Sequence, residues 1–376
     1  MKIAILTQPL HTNFGGTLQA YALQKVLINL GCKPETIDFK KKELSNLHKF
    51  FASIKHKILN RKIYYFTKNE YDLISLNHDK FINNKIITST EINKKNKLEE
   101  YFSKKEFDAI VVGSDQVWRK QYSPNIDCFF LDFLKNNKRI KKVAYAASFG
   151  VNDWEFSLKA TKKYTMLLNE FDYISVREIS AVELCRNKLN AVAEHVLDPT
   201  LLLKAEDYLK LINESKYENK EYKGIFCYIL DPNLEKQKII NYVSNFLSKN
   251  NYYAQPKSKI KDRKHISNIE DYTYPSIENW LNAIYCSDYV ITDSFHGVVF
   301  SIIFNKQFIC LGNAGRGMAR FESILSIFNL KERLVNNIDG LNTELLLDNI
   351  DYEEVNNMVE KYRQISISRL EKSLKG

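Results

Sequence analysis

Residues 289–311 read YVITDSFHGVVFSIIFNKQFICL, and no other stretch restricts the fold as tightly. Tyr289-Val290-Ile291-Thr292 is an apolar, largely β-branched run of the buried-strand kind, and it stops at Asp293-Ser294, two good helix N-caps. The next helix, 295 to about 305, carries His296 and Gly297 in its first turn, where unpaired N–H groups and the dipole favour an anion. Residues 307–311 return as a second buried strand. The unit is therefore β-α-β, and its polar residues fall at the carboxyl end of a parallel strand, the edge where open α/β sheets hold ligands. His296 sits at this transition with Asp293 three residues before it, and a helix start favours the neutral imidazole, a form able to accept a proton.

The same grammar recurs along the chain. Residues 2–8 form a strand, Asn13, Gly15 and Gly16 sit at the entrance of a helix over 17–30, and 34–39 return as a strand. Glycines at such an entrance let the backbone approach a ligand closely. Residues 107–112 form an apolar strand that runs into Gly113-Ser114-Asp115-Gln116-Val117-Trp118-Arg119, a concentration of functional groups unusual for loop decoration. Strands at 142–149 and 172–176 end in Gly150 and Arg177-Glu178, and 194–197 lead into Asp198-Pro199-Thr200, where Asp198 can cap the next turn. A polar helical stretch over 201–222 marks the domain connection, after which a second set of strands and helices begins at 224.

A chain of 376 residues exceeds one ordinary core. The fold class expected is α/β with two Rossmann-like domains facing across a cleft: residues 1–205, with a basic helical insertion at about 40–105, and residues 206–350. A final helix over 351–376, with Val355, Val359, Tyr362, Ile365 and Leu370 on one stripe, is expected to pack across both.

Charge is unevenly spread. Of the net +10, the segment from Lys40 to Lys105 holds 16 Lys+Arg against 7 Asp+Glu, or +9. Leu44, Leu47, Phe51, Ile54 and Ile58 recur there at helical spacing among basic residues, a pattern that can lie on an anionic membrane surface and that equally suits a solvated insertion. No nucleic-acid module accompanies the charge. Six cysteines without a CxxC pair read as reduced core thiols, and the start MKIAILTQ reads as a first strand rather than a signal peptide. The expected location is the cytoplasm.

Gly315-Arg316-Gly317 with Arg320 forms the best anion clamp in the sequence, because guanidinium groups grip phosphate or carboxylate bidentately. A Walker A loop, a GxSxG elbow, HExxH and metal-ligand spacing are all missing, and the first turn lacks GxGxxG. Transfer chemistry on an anionic donor, with no metal and no resident cofactor, is what remains.

Taken together, Asn13-Phe14-Gly15-Gly16-Thr17-Leu18-Gln19-Ala20-Tyr21-Ala22-Leu23, Val112-Gly113-Ser114-Asp115-Gln116-Val117-Trp118, Val176-Arg177-Glu178, Asp198-Pro199-Thr200 and Asp293-Ser294-Phe295-His296-Gly297 resemble, in order, the motifs of the polysaccharide pyruvyl transferase family. The resemblance implies a glycosyltransferase-B-like fold and transfer of the enolpyruvyl unit of phosphoenolpyruvate, as co-substrate, onto a sugar as a pyruvate ketal. The acceptor it implies is a saccharide, lipid-linked at the cytoplasmic membrane face. Carried over by position, His296 is the acid/base or phosphate contact and Asp115 positions the acceptor or shuttles a proton. Arg177, Ser294, Arg316, Arg320, Gly15 and Gly16 fall on the donor side. Asn13, Gln19, Gln116 and Trp118 fall on the acceptor side, with Trp118 a face for sugar stacking. The family carries Arg-Leu-His where this chain has Ser294-Phe295-His296, so Arg316 or Arg320 has to supply the missing cation. Otherwise a nucleotide-sugar donor, with its diphosphate in the 312–317 loop, or a non-catalytic binding protein becomes the alternative.

Overall fold

The computed structural model describes residues 1–41, 66–215, 221–258, 268–313, 315 and 317–376. The apolar stripe of the basic segment, from Leu44 to Ile58, and Arg316 lie outside the described residues.

The described strands form two sheets, each parallel throughout. The first runs β2 (Lys33–Thr36), β1 (Lys2–Leu6), β3 (Ala109–Val112), β4 (Lys141–Ala147), β5 (Tyr173–Val176), β6 (Glu194–His195). The second runs β11 (Leu334–Val335), β10 (Gln307–Leu311), β9 (Tyr289–Thr292), β7 (Ile225–Tyr228), β8 (Asn251–Tyr252). In each sheet the strand order reverses once, between β1 and β3 and between β7 and β9. Such reversals open a crevice at the carboxyl ends of the strands. The two-residue strand β11 has no counterpart in the sequence reading, because so short a pair carries no periodic signal.

Alternation along the strands places the core. Ile3 and Ile5 enter one cluster and Ala4 and Leu6 another; Phe226 and Tyr228 likewise oppose Ile225 and Cys227. The cluster holding Ile3 and Ile5 also holds Phe226, Val290 and Phe308, so one apolar core runs without interruption from the first sheet to the second. Phe14, at the start of the first helix (Phe14–Asn29), stacks on Trp280 of the second domain with ring centroids 5.2 Å apart. The architecture is two Rossmann-like domains of the glycosyltransferase-B kind.

Two elements strap the halves together. The helix Lys68–Lys85, entered through a capping box of Thr67 and Glu70, donates from Asn77 Nδ2 to the Tyr274 carbonyl at 2.8 Å. The C-terminal helix Tyr352–Lys375 begins against the second domain, where the Tyr352 hydroxyl donates to the Lys306 carbonyl, and ends against the first, where Arg369 Nη1 donates to the His195 carbonyl at 2.8 Å. Its buried face is Val355, Val359, Ser366, Leu370 and Leu374; Ile365 is half exposed, and the Ser366 hydroxyl takes the inner position to accept from Leu197 N. No described helix is long and apolar enough to cross a membrane.

Candidate active site

Strand ends of the first sheet deliver Ser114 and Asp115 after β3, Ser148 after β4, Arg177 and Glu178 after β5, and Asp198 after β6. The end of β9 delivers Ser294, Phe295 and His296 from the second domain. Gly113 has φ +118, and a Cβ there would lie 2.2 Å from the Tyr145 carbonyl oxygen, so only glycine lets β3 turn toward the crevice.

At the centre Arg177, fully buried, donates from Nη1 to Asp198 Oδ2 at 2.7 Å and from Nη2 to Asp115 Oδ1 at 3.0 Å. Asp198 Oδ1 accepts from the backbone N and Oγ1 of Thr200 at 3.1 and 2.7 Å, and the Ser114 hydroxyl lies 3.2 Å from Asp198 Oδ2. His296 Nε2 is 3.8 Å from the same Asp198 oxygen, an ion-pair separation too long for a hydrogen bond. Its ring lies on the backbone of the other domain: a Cβ added to Gly15 would sit 2.0 Å from His296 Nδ1.

Burial works to raise both aspartate pKa values, but the groups beside them win. His296 and Arg177 hold Asp198 well below the usual carboxylate range, and Arg177, His296 and Arg320 hold Asp115 down as well. At Glu178 burial wins and the pKa is raised; its Oε1 accepts from the Ser148 hydroxyl and from Gly150 N at 3.1 Å. Two guanidinium groups lie near the ring of Phe295, with Arg177 Cζ 4.7 Å and Arg320 Cζ 5.6 Å from its centroid. Burial, then the charge of Arg177, lowers the Arg320 pKa to about 10. Cationic charge crowded in this way is stabilised by an incoming anion.

His296, Asp115, Arg177, Arg320 and Gly15 thus lie together where the two domains meet. Gly16 lies one residue on, in the first helical turn, where its N–H donates to the side chain of the N-cap Asn13 at 3.1 Å. Ser294 caps the His296 helix through Gly297 N at 3.4 Å. Gln116 Oε1 accepts from Arg119 at 3.0 Å and lies where a Cβ on Gly150 would fall. Three readings need correction. Trp118 is fully buried, stacked on Phe130, with Nε1 donating to the Phe129 carbonyl at 3.1 Å, so it offers no face to a sugar. Gln19, also fully buried, braces β1 against β3 by donating to Thr7 Oγ1 at 2.8 Å and accepting from Ser114 N at 3.2 Å. Asp293 points away from the imidazole: it accepts from Leu230 N at 2.5 Å, Asp231 N at 3.0 Å, Lys236 Nζ at 2.6 Å and Asn313 Nδ2 at 3.1 Å. The carboxylate that meets His296 is Asp198, which the sequence reading places in a family motif but gives no role beyond a cap. A strand-end aspartate was visible, but its meeting with a helix about a hundred residues later was not.

No curated protein matches the chain. Among solved structures it is similar to UDP-GlcNAc 2-epimerase from Neisseria meningitidis bound to UDP-GlcNAc, at 8% identity over 97% of this chain and 94% of that one, TM-score 0.49. It is similar to UDP-GlcNAc 2-epimerase from Methanocaldococcus jannaschii in complex with UDP-GlcNAc and UDP, at 14% identity over 96% and 94%, TM-score 0.48. The N-terminal domain of Candida albicans trehalose-6-phosphate phosphatase gives 11% identity over 99% and 95%, TM-score 0.46. The family model described as polysaccharide pyruvyl transferase matches residues 13–315, a span that begins at the Asn13 cap and encloses Asp115, Arg177, Asp198 and His296. This chain belongs to the polysaccharide pyruvyl transferase family.

Proposed function

We propose that the protein transfers the enolpyruvyl unit of phosphoenolpyruvate onto two hydroxyls of a saccharide, forming a pyruvate ketal and releasing phosphate. The observation that carries this reading is the meeting of His296 with Asp198, Arg177 and Asp115 across the two domains, beside a guanidinium, Arg320, that burial and Arg177 destabilise. In the reaction the methylene carbon takes a proton, one hydroxyl adds to the neighbouring carbon, phosphate leaves, and the second hydroxyl closes the ketal. Of the two hydroxyl protons, one replaces that given to carbon and the other departs with phosphate. His296 handles the proton, held in orientation by Asp198 and by the floor at Gly15. Arg320 meets the donor anion from the position the missing motif arginine would serve, while Arg177 fixes the two aspartates. The acceptor is a lipid-linked saccharide at the cytoplasmic membrane face, and the +9 segment between Lys40 and Lys105 is the part suited to anionic lipid.

A nucleotide-sugar donor finds less support. At the reversal point of the second sheet, the backbone N–H groups of Leu230 and Asp231, the Lys236 ammonium and the Asn313 amide already serve the Asp293 carboxylate.

Phosphate release from phosphoenolpyruvate, with the ketal carbon followed by ¹³C NMR on saccharide acceptors, tests the reading. His296→Ala is expected to lower turnover by about 10²–10⁴-fold with folding retained. Unchanged turnover removes the imidazole from the mechanism, and stabilisation by UDP- or GDP-sugars but not by phosphoenolpyruvate overturns the donor assignment.

A further inference from the structure

Behind the charged cluster the helices Ile179–Leu189 of the first domain and Ala319–Ile327 of the second flank a groove of about 690 Å³, within the ~300–1,000 Å³ of small-ligand sites. Its apolar lining includes Ile179, which is exposed, and Leu334, which is half-buried, and its walls carry Asn152, Glu183, Asn187 and Glu322. Among the described residues none of these four side chains makes an ion pair or a side-chain hydrogen bond, whereas other glutamates of the surface, such as Glu100 and Glu214, are paired with lysines. The Ser180 hydroxyl, also in the lining, is buried with no hydrogen-bond partner.

We propose that the groove is a saccharide subsite that holds the body of the acceptor away from the hydroxyls that react. This rests on a saccharide being the acceptor of the proposed transfer and adds where it is gripped. Planar amides and carboxylates pair with adjacent hydroxyls while the C–H face of a pyranose lies on leucine. Lys188 and Lys331 balance the two glutamates, so the lining suits a neutral ligand better than an anion. Groove and cluster adjoin at the contact in which Ile179 N donates to Ser323 Oγ at 3.1 Å, one residue past Glu178 and three past Arg320. A saccharide seated there touches both domains directly behind Arg177 and Arg320, and binding energy from such remote parts of a substrate supports work at the reacting centre.

The test uses the full chain, fluorescently labelled, on a printed glycan array, beside Glu183→Ala/Asn187→Ala. Both positions are exposed on a helix and accept alanine, and an unchanged melting temperature serves as the folding control. Wild type is expected to retain a subset of glycans and the double variant to lose at least 10-fold of that signal. Equal retention by the variant, or retention of no glycan by wild type, overturns the subsite. Phosphate release with the retained glycans separates the two readings. Groove-dependent binding without release leaves the subsite standing and removes the transferase. Release whose KM for glycan is the same in the double variant removes the subsite alone.

Discussion

At Gly15 the backbone itself is part of the site. A methyl group there would occupy the place of the His296 ring, so the imidazole or the helix start beneath it has to shift, and the separation of the ring from Asp198 changes with it. Gly15→Ala is therefore expected to lower kcat by about 100-fold, the effect of a misplacement near 1 Å, and to lower the melting temperature, since the seam between domains opens with it. Turnover and thermal unfolding measured on the same preparation check this; a variant at full rate would mean that the ring finds its geometry elsewhere. At this scale the sequence disclosed the chemistry of single positions but not their directions. His296, Asp115 and Arg177 were recognisable as strand-end polar groups. Trp118, six residues past the end of β3, points into the first domain's core, because which way a side chain turns after a strand depends on packing from elements far along the chain. Glu178 was visible at its strand end, but its partners Ser148 and Gly150 were not.

Among elements, the loops after β7, β9 and β10 are joined through one carboxylate. Asp293 gathers Leu230, Asp231, Lys236 and Asn313, and Lys236 is itself nearly buried. Asp293→Ala leaves that ammonium without its counter-charge, a change expected to cost about 3–5 kcal/mol, read from urea denaturation. Lys236→Met/Asp293→Leu, which removes both charges, is expected to recover most of the loss. Element types were legible where apolar periodicity was strong: β9 and β10 appear as parallel strands joined by the helix that carries His296. Ends were less so. The helix expected over 17–30 begins at Phe14, because Asn13 supplies the N-cap through Gly16 N.

For the whole molecule, the shared core and the aromatic seam predict cooperative unfolding of the two halves. His78 lies in that seam, with its ring 4.8 Å from Phe14 and 5.4 Å from Tyr274, fully buried and with neither nitrogen hydrogen-bonded. Burial, with the charge of His11 adding to it, lowers its pKa to about 3. The unfolded chain takes up this proton below pH 6.5 and the folded one does not, so stability falls as the pH drops from 6.5 toward 3, by about 2 kcal/mol at pH 5 from this group. His78→Phe should flatten that part of the pH dependence in denaturation midpoints at pH 7 and pH 5; an unaltered slope would assign the acid sensitivity to other groups. The division into two sheets was legible from length and pattern, whereas their fusion into one core was not, since Phe14 gives no local sign that its stacking partner is Trp280. That fusion has a consequence for engineering: neither half is a portable module, and a chimera exchanging one sheet with a relative would inherit a mismatched join at the very place where the imidazole must land.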